Sequence, residues 1–432
     1  MIKALLALAV AALAAAVLTT DMPEPPEADL NAAIDPPSVA VCPVEEGSGR
    51  TTIVGIASAI NGGGRFTAFA GGTTAGSTEF STGASGSAAV ALADLAAVGT
   101  AAGLAELPGA DSAAGSLLLG TESIAIESCL ATPIQQTLLA GGSTISGQQY
   151  QVHLMNPYAG EAVVDLIVQS ESGLETLPEL RSISIPSRSS SLVDLSEVLP
   201  GRESLSIAVE VVSGSVMTVG RLGIGTDVAL WHSVAPALDW FVPVPVGGIG
   251  GELVISTGVS AEVEYQLDVY GPEGLVEAFQ EGVVPSRGVS IVPLGEMGFQ
   301  TASAIRVIST QPIAVFLRTV SETGVAMTSG SAVTASRWFL PGAGLAPGGT
   351  GSTVILNAGL DETTVVVTAH REQSAAQQFA VPGGGVIEVP AIEGNANAYT
   401  VRGEGSLVPL WATSTAAGTG TGYGIGVPVL DE

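Results

Sequence analysis

Lysine is almost missing from this 432-residue chain, occurring once, at Lys3. Thirteen basic residues face 41 acidic ones, for a formal net charge of −28. So acidic a surface repels nucleic acid and anionic lipid headgroups, which excludes a nucleic-acid partner. It serves solubility and leaves divalent cations or basic partners open. Histidine is nearly as scarce: only His153, His232 and His370 occur. None has the spacing of a helical zinc site, and no His-Glu-x-x-His is present. A Gly-x-Ser-x-Gly elbow, a Walker A loop and an Asp-x-Asp-x-Asp-Gly calcium loop are absent as well. Ser-x-x-Lys is impossible with the single lysine at position 3. The sequence therefore offers no catalytic residue, no metal site and no cofactor, and the expectation is a non-enzyme. Paired carboxylates for glycoside hydrolysis meet only in the fold. With aromatics at 4% of the chain, an aromatic-lined hydrolase cleft is the remotest reading.

There are two cysteines, Cys42 and Cys129. An even pair in an exported protein reads as a disulfide, worth roughly 4 kcal/mol for a loop of this length on the chain-entropy model. Export itself is read from the N-terminus. Lys3 is followed by an uncharged run from Ala4 to Leu18 and then by Asp21, the pattern of a signal peptide or signal anchor over residues 1–20. Ala14-Ala15-Ala16 would serve as a cleavage site, and both outcomes stay open. No later stretch is long and apolar enough to span a bilayer. The expected location is extracytoplasmic, secreted or membrane-anchored, with membrane contact through the N-terminal segment only. Residues 21–38 hold five acidic residues and five prolines, which gives an extended, solvated stalk.

What is abundant is glycine, with 56 residues, in keeping with many tight turns between short strands. The rest of the chain repeats itself at intervals of about 100 residues. Four phrases mark the copies: Val41-Cys42-Pro43, Cys129-Leu130-Ala131-Thr132-Pro133, Trp240-Phe241-Val242-Pro243 and Trp338-Phe339-Leu340-Pro341. Strand-like runs follow each phrase. In one of them Val263, Tyr265, Leu267 and Val269 alternate with Glu264, Gln266 and Asp268, which gives one buried and one wet face. Short strands at this spacing predict an all-β fold of four tandem immunoglobulin-like β-sandwich repeats, over residues 39–130, 131–235, 236–335 and 336–432. A propeller fits less well, because its four-stranded blades need only about 45 residues each. The first copy is rich in Ala, Gly and Ser and lacks Trp, so the disulfide reads as compensation for a weak core.

Two features are candidates for ligand contact. Trp240 and Trp338 open copies at module edges, where an indole either stacks on a sugar ring or seals one module against the next. Pro-Ser-Arg occurs at 186–188 and 285–287, where Arg188 and Arg287 would meet an anionic partner or simply occupy a solvated turn.

With its export segment, its Cys-Pro start, its Trp-x-x-Pro repeats and Leu154-Met155-Asn156-Pro157-Tyr158-Ala159-Gly160 before a strand, the chain resembles an actinobacterial, membrane-anchored family of unknown function. That family is often encoded near envelope glycosyltransferase genes. The likeness covers most of residues 36–428, and the first copy departs most from it. It implies an envelope location and a glycan-related pathway, with no site residues to carry over. The expected function is a structural or interaction scaffold, a rod that organises envelope proteins. The alternative is a module that binds cell-wall polysaccharide.

Overall fold

The computed structural model describes residues 38–429 except 48, 96–98, 132, 273, 322–323, 347–349 and 417. The expected signal or anchor segment, and all of the stalk but Ser38, lie outside the described residues.

The fold is all-β. The first stretch holds β1 (Val39–Gly47), β2 (Arg50–Ser58), β3 (Gly63–Ala70), β4 (Thr73–Ser81), β5 (Ser87–Ala91), β6 (Gly99–Glu106), β7 (Ser112–Gly120) and β8 (Ile124–Ser128). The second holds β9 (Gln136–Gly142), β10 (Gln148–Asn156), β11 (Ala162–Ser170), β12 (Gly173–Leu174), β13 (Ile183–Ile185), β14 (Ser189–Asp194), β15 (Leu205–Ser213), β16 (Met217–Ile224) and β17 (Asp227–His232). The third holds β18 (Ala237–Val244), β19 (Glu252–Ser256), β20 (Val263–Gly271), β21 (Gly274–Val284), β22 (Val289–Pro293), β23 (Ser303–Val320) and β24 (Val325–Ser329). The fourth holds β25 (Ala335–Pro341), β26 (Thr350–Asn357), β27 (Thr363–His370), β28 (Ala375–Val381), β29 (Gly385–Pro390), β30 (Ala398–Ser414), β31 (Thr421–Ile425) and β32 (Val427–Pro428).

One pairing order recurs in all four stretches. In the first, β4-β3-β6-β1 and β5-β2-β7-β8 form two four-strand sets that meet at the β1–β2 corner. The second pairs β12-β11-β15-β9 and β14-β10-β16-β17. The third pairs β21-β20-β23-β18 and β22-β19-β23-β24. Its 18-residue strand β23 passes from one set into the other. In the fourth stretch β30 does the same, through β28-β27-β30-β25 and β29-β26-β30-β31. After each last strand the chain returns to pair with the first: Val41↔Leu130, Leu138↔Val234, Phe241↔Ser331 and Phe339↔Val427. This register aligns Trp240 with Trp338, as the sequence suggests. It does not align the Cys129 phrase, which ends the first stretch. The counterpart in the second stretch is Thr137-Leu138-Leu139-Ala140.

The stretches are not beads on a line. Pro37–Glu432 forms one compact unit. Strands β8, β17, β24 and β31 lie around a common centre, each against the next, and β31 closes back on β8. Polar contacts bind neighbouring stretches there. Glu127 of the first meets His232 of the second at 2.6 Å, and Asp227 of the second accepts the Val325 N–H of the third at 2.9 Å. Thr319 of the third reaches the Tyr423 hydroxyl of the fourth at 3.4 Å. Ser128 of the first donates to the Ile425 carbonyl of the fourth at 2.9 Å. The elongated rod expected from the repeat is therefore replaced by a closed circuit in which the fourth stretch touches the first.

That closing contact is made by backbone. Gly55 and Gly115, both buried, lie against Gly342 and Pro341 of the fourth stretch. A β-carbon built on Gly55 would sit 2.2 Å from the Gly342 nitrogen and 2.8 Å from the Asn397 carbonyl oxygen. Ala57, Ala113, Phe339, Ala398 and Val429 form the apolar cluster beside it. Because the obstructing atoms are main chain, no rotamer change relieves the clash. Gly55→Ala is expected to cost on the order of 1–3 kcal/mol, read as a lowered urea midpoint.

The first stretch has a separate core built largely of small residues, including Ala40, Val44, Ala68, Ala88, Ala101, Ala105 and Ala114. Within it Cys42 and Cys129 are joined as a disulfide. It ties β1 to the segment after β8. At the corresponding places the fourth stretch has Leu340 facing Gly426, the leucine Cδ2 3.3 Å from where a glycine β-carbon would stand. A leucine over a glycine fills the fourth stretch, and a covalent bond holds the first. Replacing both cysteines by serine should lower unfolding free energy by roughly 4 kcal/mol, measurable by denaturant titration.

Candidate functional site

Both tryptophans proposed for ligand contact are interior. Trp240 is 2% exposed and Trp338 0%. The Trp240 indole N–H donates to the Ile313 carbonyl at 2.8 Å, and that of Trp338 to the Ala335 carbonyl at 3.0 Å. Each ring covers the glycine just before the residue that bridges back to its strand, Gly330 and Gly426 respectively. Neither ring is open to a sugar, so the stacking role does not hold, and the hydrogen bonds of each indole stay within its own stretch.

Arg188 and Arg287 are exposed and lie in different stretches. Both adopt left-handed backbone, at φ 52° and 45°. Their N–H groups donate to the Tyr158 carbonyl at 3.0 Å and the Val259 carbonyl at 2.8 Å. The fourth stretch places Gly384 at the same turn, with φ 62°. The turn demands a positive φ and is indifferent to the guanidinium. The two arginines are not brought together.

The three histidines separate by environment. His153 is buried between β14 and β16, and burial, aided by the Arg221 charge, lowers its pKa to about 3. His232 links Glu127 and Ser329 across three stretches. His370 stands where the fourth stretch meets the first. Its Nδ1 donates to the Ser85 carbonyl at 2.8 Å, and its Nε2 accepts from the Thr400 hydroxyl at 2.5 Å. Burial lowers its pKa as well, so the ring is neutral at pH 7.

Above His370 the two stretches diverge and leave a groove of about 1470 Å³. One wall is Ser58, Ala59, Asn61, Ala84, Ser85 and Gly86 of the first stretch. The other is the outward face of β25, β27 and β30. Antiparallel pairing sets its rungs: Ala398 opposite His370, Thr400 opposite Thr368 and Phe339, and Arg402 opposite Val366 and Arg337. Paired residues share a face, so hydroxyls and guanidiniums project together into the groove. The Arg337 guanidinium lies 5.2 Å above the Phe339 ring and 4.0 Å from Asp111 across the seam. Asp361, Glu362 and Glu404 stand beside the start of β27. Sequence reasoning missed this site, although Arg337 adjoins the Trp338 phrase.

Among the described residues no three His, Cys, Asp or Glu side chains converge as a metal site. The molecule is thus an all-β protein with a polar groove at the junction of its first and last stretches. The chain belongs to a family of unknown function, DUF5719, whose model matches residues 80–391. None of the curated proteins compared with it matches. Among solved structures it is similar to Thermotoga maritima 1070, at 12% identity over 23% of this chain and 98% of that one, with a TM-score of 0.20. A tetra-tandem repeat from the extending region of a large adhesion protein matches at 13% identity over 91% and 100%, with a TM-score of 0.11. Two B repeat units of the Staphylococcus aureus collagen-binding protein match at 7% over 90% and 99%, with a TM-score of 0.09.

The buried histidines make stability pH-dependent. The folded state holds His153 neutral down to about pH 3, whereas the unfolded chain protonates it near 6.5. Stability from this group is therefore complete above pH 6.5 and declines as pH falls toward 3. Against a His153→Leu variant, the native protein should lose stability progressively below pH 6.5, as read from paired denaturant curves at pH 7.5, 6, 5 and 4.

Proposed function

We propose that this is a non-enzymatic, extracytoplasmic binding protein whose groove between the first and fourth stretches holds a hydrophilic polymer, a cell-wall polysaccharide. The observation that carries the reading is the groove's lining. Thr364, Thr368, Ser406 and Asn61 offer hydroxyl and amide groups to a chain of hydroxylated units. Within this reading each stretch is an immunoglobulin-like sandwich with the boundaries derived from the repeat, and residues 1–20 direct export. The Cys42–Cys129 disulfide is in keeping with an oxidising compartment.

A scaffold for envelope proteins is the second reading, and β21 favours it. This 11-residue edge strand pairs on one side with β20 and exposes Val276, Phe279 and Val283, a surface suited to strand addition by a protein partner.

The test is retention of the purified protein on native cell-wall polysaccharide, compared with a Thr368→Tyr variant that fills the groove floor. Retention should weaken by about tenfold or more, equivalent to 1.4 kcal/mol, with an unchanged melting temperature. Equal retention of the two proteins would remove the groove from the binding site.

A further inference from the structure

The four first strands share a register position two residues before their bridged residue. It is occupied by Val39, Gln136, Asp239 and Arg337. Directly opposite on the neighbouring strand stand Glu106, Glu210, Ile308 and Arg402. Three of these rungs carry one carboxylate. The fourth carries two guanidiniums and no acid. Like charges directly opposite on paired strands repel, and this chain has only 13 cationic side chains against 41 acidic ones.

The third stretch shows how the fold otherwise treats a cation on this face. Arg306 there is clamped by Asp239, with contacts of 2.9 and 2.6 Å. In the fourth stretch Thr400 takes the place of Arg306 and Arg337 takes the place of Asp239. The internal neutralisation is gone. Arg337 has Asp111 of the first stretch at 4.0 Å, a carboxylate 51% exposed. Arg402 is exposed and forms no ion pair among the described residues. Stacking on Phe339 holds the Arg337 fork facing the groove.

We propose that the Arg337–Arg402 rung is an anion-recognition position, which reads a carboxylate or phosphate group carried on a polysaccharide lying in the groove. This rests on the polysaccharide reading above and specifies its chemistry. Two planar forks side by side suit bidentate recognition of such groups. The threonines on the adjoining rungs meet hydroxylated units on either side. Glu404, two residues beyond Arg402 on β30, and Asp361 and Glu362 before β27 line the same groove and confine the cationic field to this rung. The favoured polymer therefore carries spaced acidic groups separated by neutral units.

The experiment titrates the full protein with three polymers: polygalacturonate, a polyglycerol phosphate, and neutral dextran. Tighter binding of polygalacturonate or of polyglycerol phosphate than of dextran is expected, and the preferred member of the pair tells carboxylate from phosphate. Arg402→Gln should weaken that polyanion by about tenfold or more, leave dextran unchanged and leave the melting temperature unchanged. Arg402→Lys should recover part of the loss. If dextran binds as tightly as both polyanions and Arg402→Gln is silent, the anionic assignment is overturned while the polysaccharide reading stands. If none of the three polymers binds, both fall.

Discussion

Everything about the site depends on one backbone-to-backbone contact, where β2 and β7 of the first stretch meet the end of β25 in the fourth. Two sheets ordinarily pack about 10 Å apart with side chains between them. At Gly55 and Gly115 the side chains are absent, and the main chain of the fourth stretch comes directly against that of the first. The approach closes the circuit of stretches. It also fixes the angle at which β25, β27 and β30 leave the first stretch, and the groove is the space this divergence opens. Glycine is needed here for closeness of approach.

The centre of the circuit works by different means. The four last strands present Ile124, Ile126, Ala229, Met327 and Tyr423, all buried, and between them run polar contacts that each join two stretches. The Asp227 carboxylate and the Glu127–His232 pair are well partnered, which is the condition for keeping such groups inside. Because one carboxylate binds the Val325 N–H and the Val228 N–H of different strands, it sets their relative height. The apolar contacts supply cohesion, and these bonds supply register.

Much of this was legible in the sequence. Period-two alternation placed Val263–Val269 as a strand with Glu264 outward, though Asp268, expected on the same wet face, is buried and accepts from Gln266 and the Ala278 N–H; the Trp-Phe-x-Pro phrases marked equivalent strands. The even pair of cysteines pointed to the disulfide. The second phrase misled because Cys129-Leu130 resembles a strand start in composition, while its real role is to end a stretch and bridge back to Val41. The tryptophans misled for a related reason. Sequence position puts them at module edges, but both rings pack against a glycine of the returning chain and are interior. The groove was illegible because its walls come from residues far apart in the chain, such as Ser85 and His370. Nothing local distinguishes a glycine in a turn from Gly55, whose small size matters only because the chain closes on itself. The Arg337–Arg402 pair is likewise invisible until strand register sets one opposite the other.

The disulfide also governs how the molecule would carry load. Cys42 lies near the start of the described chain and Cys129 at the close of the first stretch, 87 positions apart in sequence. Tension entering at Ser38 passes through five residues to Cys42, crosses the sulfur bridge, and continues from Cys129 into the second stretch. The intervening strands lie off that path and cannot be drawn out while the bond is intact. A chain pulled on its N-terminal side would thus extend as if residues 43–128 were a short covalent link, and reduction of one bond would release a long reserve of slack.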